Sequence, residues 1–324
     1  MKRMKRRPAW PPYQLVEESL VESAERRLER LERLYHKGQE LAWDGREVLA
    51  GLLQRHGRPD LPPERREPAL KVLSVLLWGE LAAWAISADL AERIDDVEAK
   101  MAATSQAHDE ARHFYVLRDY LRALGHPVPR LGGIARRLLL GILETESIVH
   151  KLIGMQLLVE ANALAIFRGL VEAELEPVLA ALLPYYEKDE ARHVGLGSLY
   201  LPRLLGELSP LEAAGAVAFQ LRCFGLLMSA GMTLHQDMER VGLNPRKIAS
   251  HTVELQDRIV GEMLAASEQG SGSARGLLNP ARGIGPALFE LIHPAEGLAS
   301  LAPWKRGLLR AWTGAAVLAD KALA

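Results

Sequence analysis

Cysteine is nearly missing from this chain: one residue, Cys223, stands among 324. That excludes an internal disulfide framework and any cysteine-rich zinc or iron–sulfur site, and it fits a reducing compartment. Cys223 itself reads as a buried, inert thiol. Net charge is missing too. Forty basic residues against 41 acidic ones leave a formal balance of -1, so no broad field gathers nucleic acid or anionic lipid. The opening from Met1 to Pro8 is basic, but Trp10, Pro11 and Pro12 follow where a secretory signal needs an apolar run. That opening reads as a solvated, frayed terminus, and cytoplasmic residence is the expectation. The most apolar stretches, Leu76 to Ile86 and Ala214 to Met232, are interrupted by Glu80 and by Gln220 and Arg222. Neither reads as a membrane span.

Strand signals are scarce as well, while helical ones run almost end to end. A hydrophobic content of 48% supplies a packed core. The stretch 17–53 reads as one long outer helix. Its charged face alternates sign through Glu25, Arg26, Arg27, Glu29, Arg30, Glu32 and Arg33, and Leu28, Leu31, Leu34 and Leu41 form its apolar stripe. After a breaker cluster at 56–63, four helices are expected near 66–94, 97–124, 135–173 and 176–205. Asp95-Asp96, Gly125-His126-Pro127 and an acidic turn before Pro177 separate them. Pro210 and Pro245 stand at first helical positions, opening helices near 209–241 and 245–268. Gln269 to Ser273 and Asn279 to Pro286 read as flexible, with short helices at 286–291 and 303–323. The expectation is one all-α domain: an N-terminal helical extension (1–63), a four-helix core (66–205), and C-terminal helices and tail (206–324).

The chemistry lies in a repeat. Asp109-Glu110-Ala111-Arg112-His113 recurs unchanged as Asp189-Glu190-Ala191-Arg192-His193. On a helix, positions three apart lie about 60° around and ~4.5 Å along the axis, so each Glu and its His point the same way and can share one metal. Ten histidines produce about one Glu-x-x-His by accident. Glu290 and His293 are that accident, lacking the flanking Asp and Arg and running into Pro294. The other two have company. Glu80 and Glu160 each stand 30 residues upstream of a motif glutamate, in otherwise apolar helices. An ionised carboxylate there is costly unless paired or bound to metal. One motif alone is better read as buried ion pairs, with Arg112 and Arg192 answering the carboxylates; the doubled set is not. The order Glu, Glu-x-x-His, Glu, Glu-x-x-His implies two helical hairpins related by a pseudo-twofold axis. Asp109 and Asp189 read as outer groups accepting a hydrogen bond from a ligand His, held in turn by the arginines.

This order resembles the ferritin-like di-iron and di-manganese carboxylate proteins, in which two helices give a Glu each and two give Glu-x-x-His. The doubled Asp-Glu-Ala-Arg-His is similar to the ribonucleotide-reductase-like branch, which holds reductase small subunits, hydroxylases of bacterial multicomponent monooxygenases, soluble acyl-carrier desaturases and arylamine N-oxygenases. The resemblance covers about 66–205 and implies a ferritin-like four-helix bundle. It also implies metal ligands Glu80, Glu110, His113, Glu160, Glu190 and His193. Four carboxylates and two imidazoles suit iron or manganese, so two iron ions or a manganese–iron pair are expected.

Departures narrow the branch. Leu117 stands where the reductases carry a radical tyrosine, and no tyrosine follows Tyr200. Ala163 and Leu164 occupy the turn that holds a threonine in monooxygenases and desaturases, and Tyr186 replaces the extra His of the N-oxygenases. Tyr186 is a candidate catalytic residue, to hydrogen-bond a ligand, bind metal weakly or carry a radical, with a packed position beside the cluster as the preferred reading. Gln106 precedes Glu110 by one turn, and Trp84 follows Glu80 by one turn, read as core packing in preference to an electron relay. His108 and His150 read as off-face or satisfied. The implied activity is a di-iron oxidase or oxygenase that activates dioxygen to oxidise a small or medium organic substrate. A separately encoded electron donor is expected, because no flavin, nicotinamide or cluster motif is present. Nucleic acid is not an expected partner, and a homodimer is allowed. The rival readings are a ferroxidase handling iron, a manganese/iron oxidase, and a scaffold with structural metals.

Overall fold

The computed structural model describes residues 26–266 and 285–323. The basic opening, the start of the first expected helix and most of the flexible stretch between 269 and 286 lie outside the described residues. Among the described residues there is no strand. The helices are α1 (Arg26–Glu40), α2 (Gly45–His56), α3 (Pro63–Arg93), α4 (Val97–Leu124), α5 (Gly133–Leu143), α6 (Ile148–Glu172), α7 (Pro177–Gly206), α8 (Pro210–Arg240), α9 (Pro245–Ala266), α10 (Gly285–Ile292) and α11 (Pro303–Leu323).

Two expected helices are broken. The single helix foreseen over 17–53 stops at Glu40, and Asp44 starts α2 by accepting hydrogen bonds from the amides of Arg46 (2.8 Å) and Glu47 (3.2 Å). The break lets α2 lie hard against α4: a Cβ on Gly45 would come within 2.2 Å of Val116 Cγ2. Leu31 is fully buried as expected, but Leu41, past the end of α1, is exposed. The helix foreseen over 135–173 divides into α5 and α6, where the Ser147 hydroxyl accepts from the His150 amide at 3.2 Å. A serine able to cap a new helix and a largely buried segment after it outweigh the continuous periodicity. Gly125, in the left-handed region at φ 80°, closes α4 where Gly-His-Pro foretold a stop.

The middle of α6, Ile153–Glu160, is π-helical. An inserted residue shifts the phase of the helix beyond it, and such wide turns are frequent where a helix carries function. Here the stretch ends on Glu160.

Helices α3, α4, α6 and α7 form the central bundle, with α1 and α2 against α4 and α7, α8 over α3 and α5, and α9 over α6 and α7. The apolar core is divided in two along the bundle. On α3, Leu77 belongs to one cluster and Ala83 to the other; on α4 the division falls between Ala103 and Val116, and on α7 between Tyr186 and Val194. Glu80, Glu110, His113, Glu190 and His193 fill the gap, and Glu160 of α6 joins them. Buried polar side chains therefore interrupt the hydrophobic interior at one level, which natural cores avoid unless the groups are compensated.

Contrary to the expectation from the polar interruptions of α3 and α8, both are long and apolar enough to cross a membrane by length and composition, and so is α6. In α3 and α6 the apolar residues serve the bundle, and the interrupting glutamates face its centre. The apolar window of α8 is only 17% buried. Cys223 is buried, and desolvation pushes its thiol up to about 11, as an inert cysteine requires.

Candidate metal centre

Two quartets of ligand atoms converge. Glu80, Glu110, His113 and Glu190 form one, and Glu110, Glu160, Glu190 and His193 the other; in each, one atom per residue lies within 4.8 Å of the rest. Glu110 and Glu190 are common to both. The i, i+3 spacing makes each Glu and His share a helix face, and the packing of α3 and α6 adds one carboxylate at each end.

The imidazoles are held between two sets of carboxylates. His113 Nδ1 looks inward, 3.3 Å from Glu80 and 3.2 Å from Glu190, while Nε2 lies 3.0 Å from Asp189 Oδ2. His193 Nδ1 lies 3.0 Å from Glu110 and 3.1 Å from Glu190, and its Nε2 is 3.3 Å from Asp109 Oδ2. Each outer aspartate thus serves the histidine of the opposite hairpin, fixing Nε2 as the donor and leaving Nδ1 free to ligate. Arg112 donates to Asp189 at 2.8 Å and also to Asp109; Arg192 donates to Asp109 at 2.9 Å and to Asp189 at 2.7 Å. Two aspartates and two arginines close a neutral ring beneath the histidines, with every member buried.

Charge inside the cluster is unbalanced. Burial raises the Glu80 and Glu160 carboxyls well above their ordinary range. Burial also opposes charge on Glu110 and Glu190, but the histidines prevail and hold both below it. Desolvation works against charge on His113 and His193, yet the surrounding carboxylates raise both well above 6.5. The metal-free cluster therefore keeps protons where cations belong. Glu110 Oε2 and His113 Nδ1 are buried with no hydrogen-bond partner. Buried polar atoms left without a hydrogen bond among four carboxylates are what bound cations would satisfy once the histidines give up their extra protons, so the residues fit a pair of metal ions.

The structure also places the remaining candidates. The Tyr186 ring stacks on His113, with centroids 4.3 Å apart, and its hydroxyl donates 2.7 Å to the His113 carbonyl. It is turned to the backbone and away from the carboxylates. Gln106 donates to Glu160 at 3.1 Å and to Glu110 at 3.4 Å, and accepts from Gln156 at 3.3 Å. Trp84, read as core, is 40% exposed and beside Phe114; its turn of α3 faces outward. His108 is largely exposed, and His150 stacks on Phe219. Glu290 is occupied by Arg246 at 2.7 Å, and His293 lies near His235, so that motif is no part of the centre.

Sequence reasoning missed Trp43 and Gln156. Trp43, in the break between α1 and α2, donates its indole N–H to Asp189 Oδ2 at 2.8 Å, with Arg112 over its ring at 4.8 Å. The residue lies 146 positions from Asp189 and carries no local motif.

A cavity of about 430 Å³ opens between α3, α5, α6, α8 and α9. Its walls are mostly apolar and include Val75, Gly79, Leu158, Val159 and Asn162. Gly79 and Val159 immediately precede Glu80 and Glu160 of the cluster.

No family model matches the chain, and no curated protein is matched by sequence. Solved structures are similar in fold. A variant of an R2-like ligand-binding oxidase with an aerobically reconstituted Mn/Fe cofactor superposes with a TM-score of 0.50 at 16% identity, covering 78% of this chain and 95% of that one. Another variant, with an aerobically reconstituted Fe/Fe cofactor, gives 0.45 at 15% identity over 82% of this chain and 95% of that one. The chain therefore has the ferritin-like helical-bundle fold, built around a buried carboxylate–histidine cluster able to hold two metal ions.

Proposed function

We propose that the protein is a dinuclear metal oxidase that uses dioxygen to oxidise an organic molecule held in the apolar cavity beside the cluster. The observation that carries this reading is the pair of quartets sharing Glu110 and Glu190, because two carboxylates common to both would hold two cations side by side. The donor set suits iron, and the Mn/Fe cofactor of the similar solved structure makes manganese–iron the other form to test. When bound, the metals supply the redox chemistry of oxygen reduction.

The chain's own residues supply the rest. Asp189 and Asp109 keep the proton on Nε2 of His113 and His193 and aim both Nδ1 atoms inward. Gln106 restrains Glu160 and Glu110. Burial of all six ligands excludes bulk water, and the cavity, with few polar groups in its walls, favours an apolar substrate. Electrons would come from a separate donor protein.

The test is metal analysis of the purified protein followed by oxygen consumption after chemical reduction. Two ions of iron, or one each of manganese and iron, with stoichiometric oxygen uptake, are expected. A loaded but redox-silent protein leaves only a structural metal site and refutes the oxidase. Uptake of many further iron atoms as mineral would favour an iron-handling protein.

A further inference from the structure

Helix α11 shows an apolar face to solvent on the side opposite the core. Leu309 and Ala316 pack inward, 8% and 4% exposed. On the opposite side Trp304, Leu308, Ala311, Ala315, Leu318 and Ala322 fall within an arc of about 80°. Trp304 is 68% exposed, Leu308 52% and Leu318 70%. An apolar stripe of that regularity facing away from a core is not a by-product of packing.

Its flanks are cationic. Arg310 and Lys321 border the stripe on one side and Lys305 on the other, Lys305 lying over the Trp304 ring at 5.6 Å. Arg310 and Lys321 form no ion pair among the described residues. The one acid of the helix, Asp320, is turned inward and accepts from the Ile134 amide at 2.8 Å, so it does not offset them.

We propose that this face of α11 docks the protein on an anionic lipid surface, the tryptophan and leucines entering the interface while the three cations meet acidic headgroups. An apolar face with basic borders is what such a surface selects. A second copy of the chain fits less well: in a two-fold contact through this stripe, the cations of one copy face those of the other. The neutral whole-chain charge does not oppose the idea, because attraction to a charged bilayer decays within about 8–10 Å and is set locally.

The test is co-sedimentation of the full-length protein with vesicles of phosphatidylcholine alone or mixed with phosphatidylserine. Binding to the mixed vesicles that weakens with added salt is expected. Lys305→Gln, Arg310→Gln and Lys321→Gln together should lower the partition coefficient about a hundredfold, at about fivefold per cation. Trp304→Ser, Leu308→Ser and Leu318→Ser together should abolish binding. All six residues are at the surface, so circular dichroism and metal content should not change. Equal partition into both vesicle types, no partition, or partition unaffected by either triple variant overturns the proposal. A wild-type dimer that the serine variant dissociates, without vesicle binding, assigns the stripe to a second copy instead.

Discussion

Asp189→Asn removes the charge at the centre of the ring beneath the histidines. Oδ2 of Asp189 accepts from Trp43 (2.8 Å), Arg112 (2.8 Å) and His113 (3.0 Å), and Oδ1 accepts from Arg192 (2.7 Å). An asparagine has one acceptor oxygen, so whichever way the amide turns, its NH2 opposes at least one arginine. Two buried guanidiniums would then share Asp109 alone. Removing one partner of a buried ion pair costs about 3–5 kcal/mol, and losing the carboxylate behind a ligand histidine lowers metal affinity about 10–100-fold. Asp109→Asn lacks the indole donor and should cost about 1–2 kcal/mol less. Trp43→Phe should account for that difference.

Urea unfolding of the metal-free proteins and metal competition against a chelator measure both quantities. The pH dependence gives a further check. Burial opposes charge on Asp189, but His113 first and then Arg112 and Arg192 hold its carboxyl far below the ordinary 3.8. Its stabilisation is therefore complete above pH 3.8, and the gap between wild type and Asp189→Asn should close only as pH falls below that value. A variant within about 1 kcal/mol of wild type at neutral pH, with unchanged metal affinity, would refute the ring as the support of the centre.

Four other outcomes are expected. Tyr186→Phe loses one hydrogen bond to a carbonyl, about 1 kcal/mol of stability by urea titration, while oxygen uptake persists; abolished uptake would show that the hydroxyl acts in the chemistry. Glu80→Ala should leave one metal ion per chain, whereas Glu110→Ala should leave none bound tightly, as read by elemental analysis; equal losses would contradict the shared-carboxylate geometry. A Cβ on Gly79 meets nothing within 4 Å. Gly79→Met should therefore gain up to about 1 kcal/mol of helix stability while blocking turnover of an apolar substrate, seen by thermal melting and product assay. In the metal-free protein His113 and His193 keep their protons above 6.5. Their stabilisation is complete below that pH and lost as pH rises through the raised values, so metal uptake near neutrality should release protons, measurable in weakly buffered titrations.

The six residues of the cluster were legible because their spacing is local. Glu110 with His113, and Glu190 with His193, share a helix face by spacing alone, and glutamates at 80 and 160 within apolar helices need a compensating partner, proton or metal. Helix ends marked by Gly125, Pro177, Pro210 and Pro303 were legible for the same reason: each acts on the backbone beside it. Continuous periodicity across 135–173 hid the break before Ser147, since capping is decided only when the segment after it finds a core to enter.

The amino-acid order by itself determined an all-helical chain carrying two copies of a metal-binding unit, because spacing along a helix converts directly into direction. Only the packing of α1 and α2 against α4 and α7 brought Trp43 to Asp189, and only the neighbours of Tyr186 decided that its hydroxyl meets a backbone carbonyl. Where a side chain ends depends on groups 73 residues away for Tyr186 and 146 for Trp43, and no local period encodes them. The cavity beside Gly79 and the outward stripe of α11 likewise exist only as surfaces left between or beyond helices once those helices are placed.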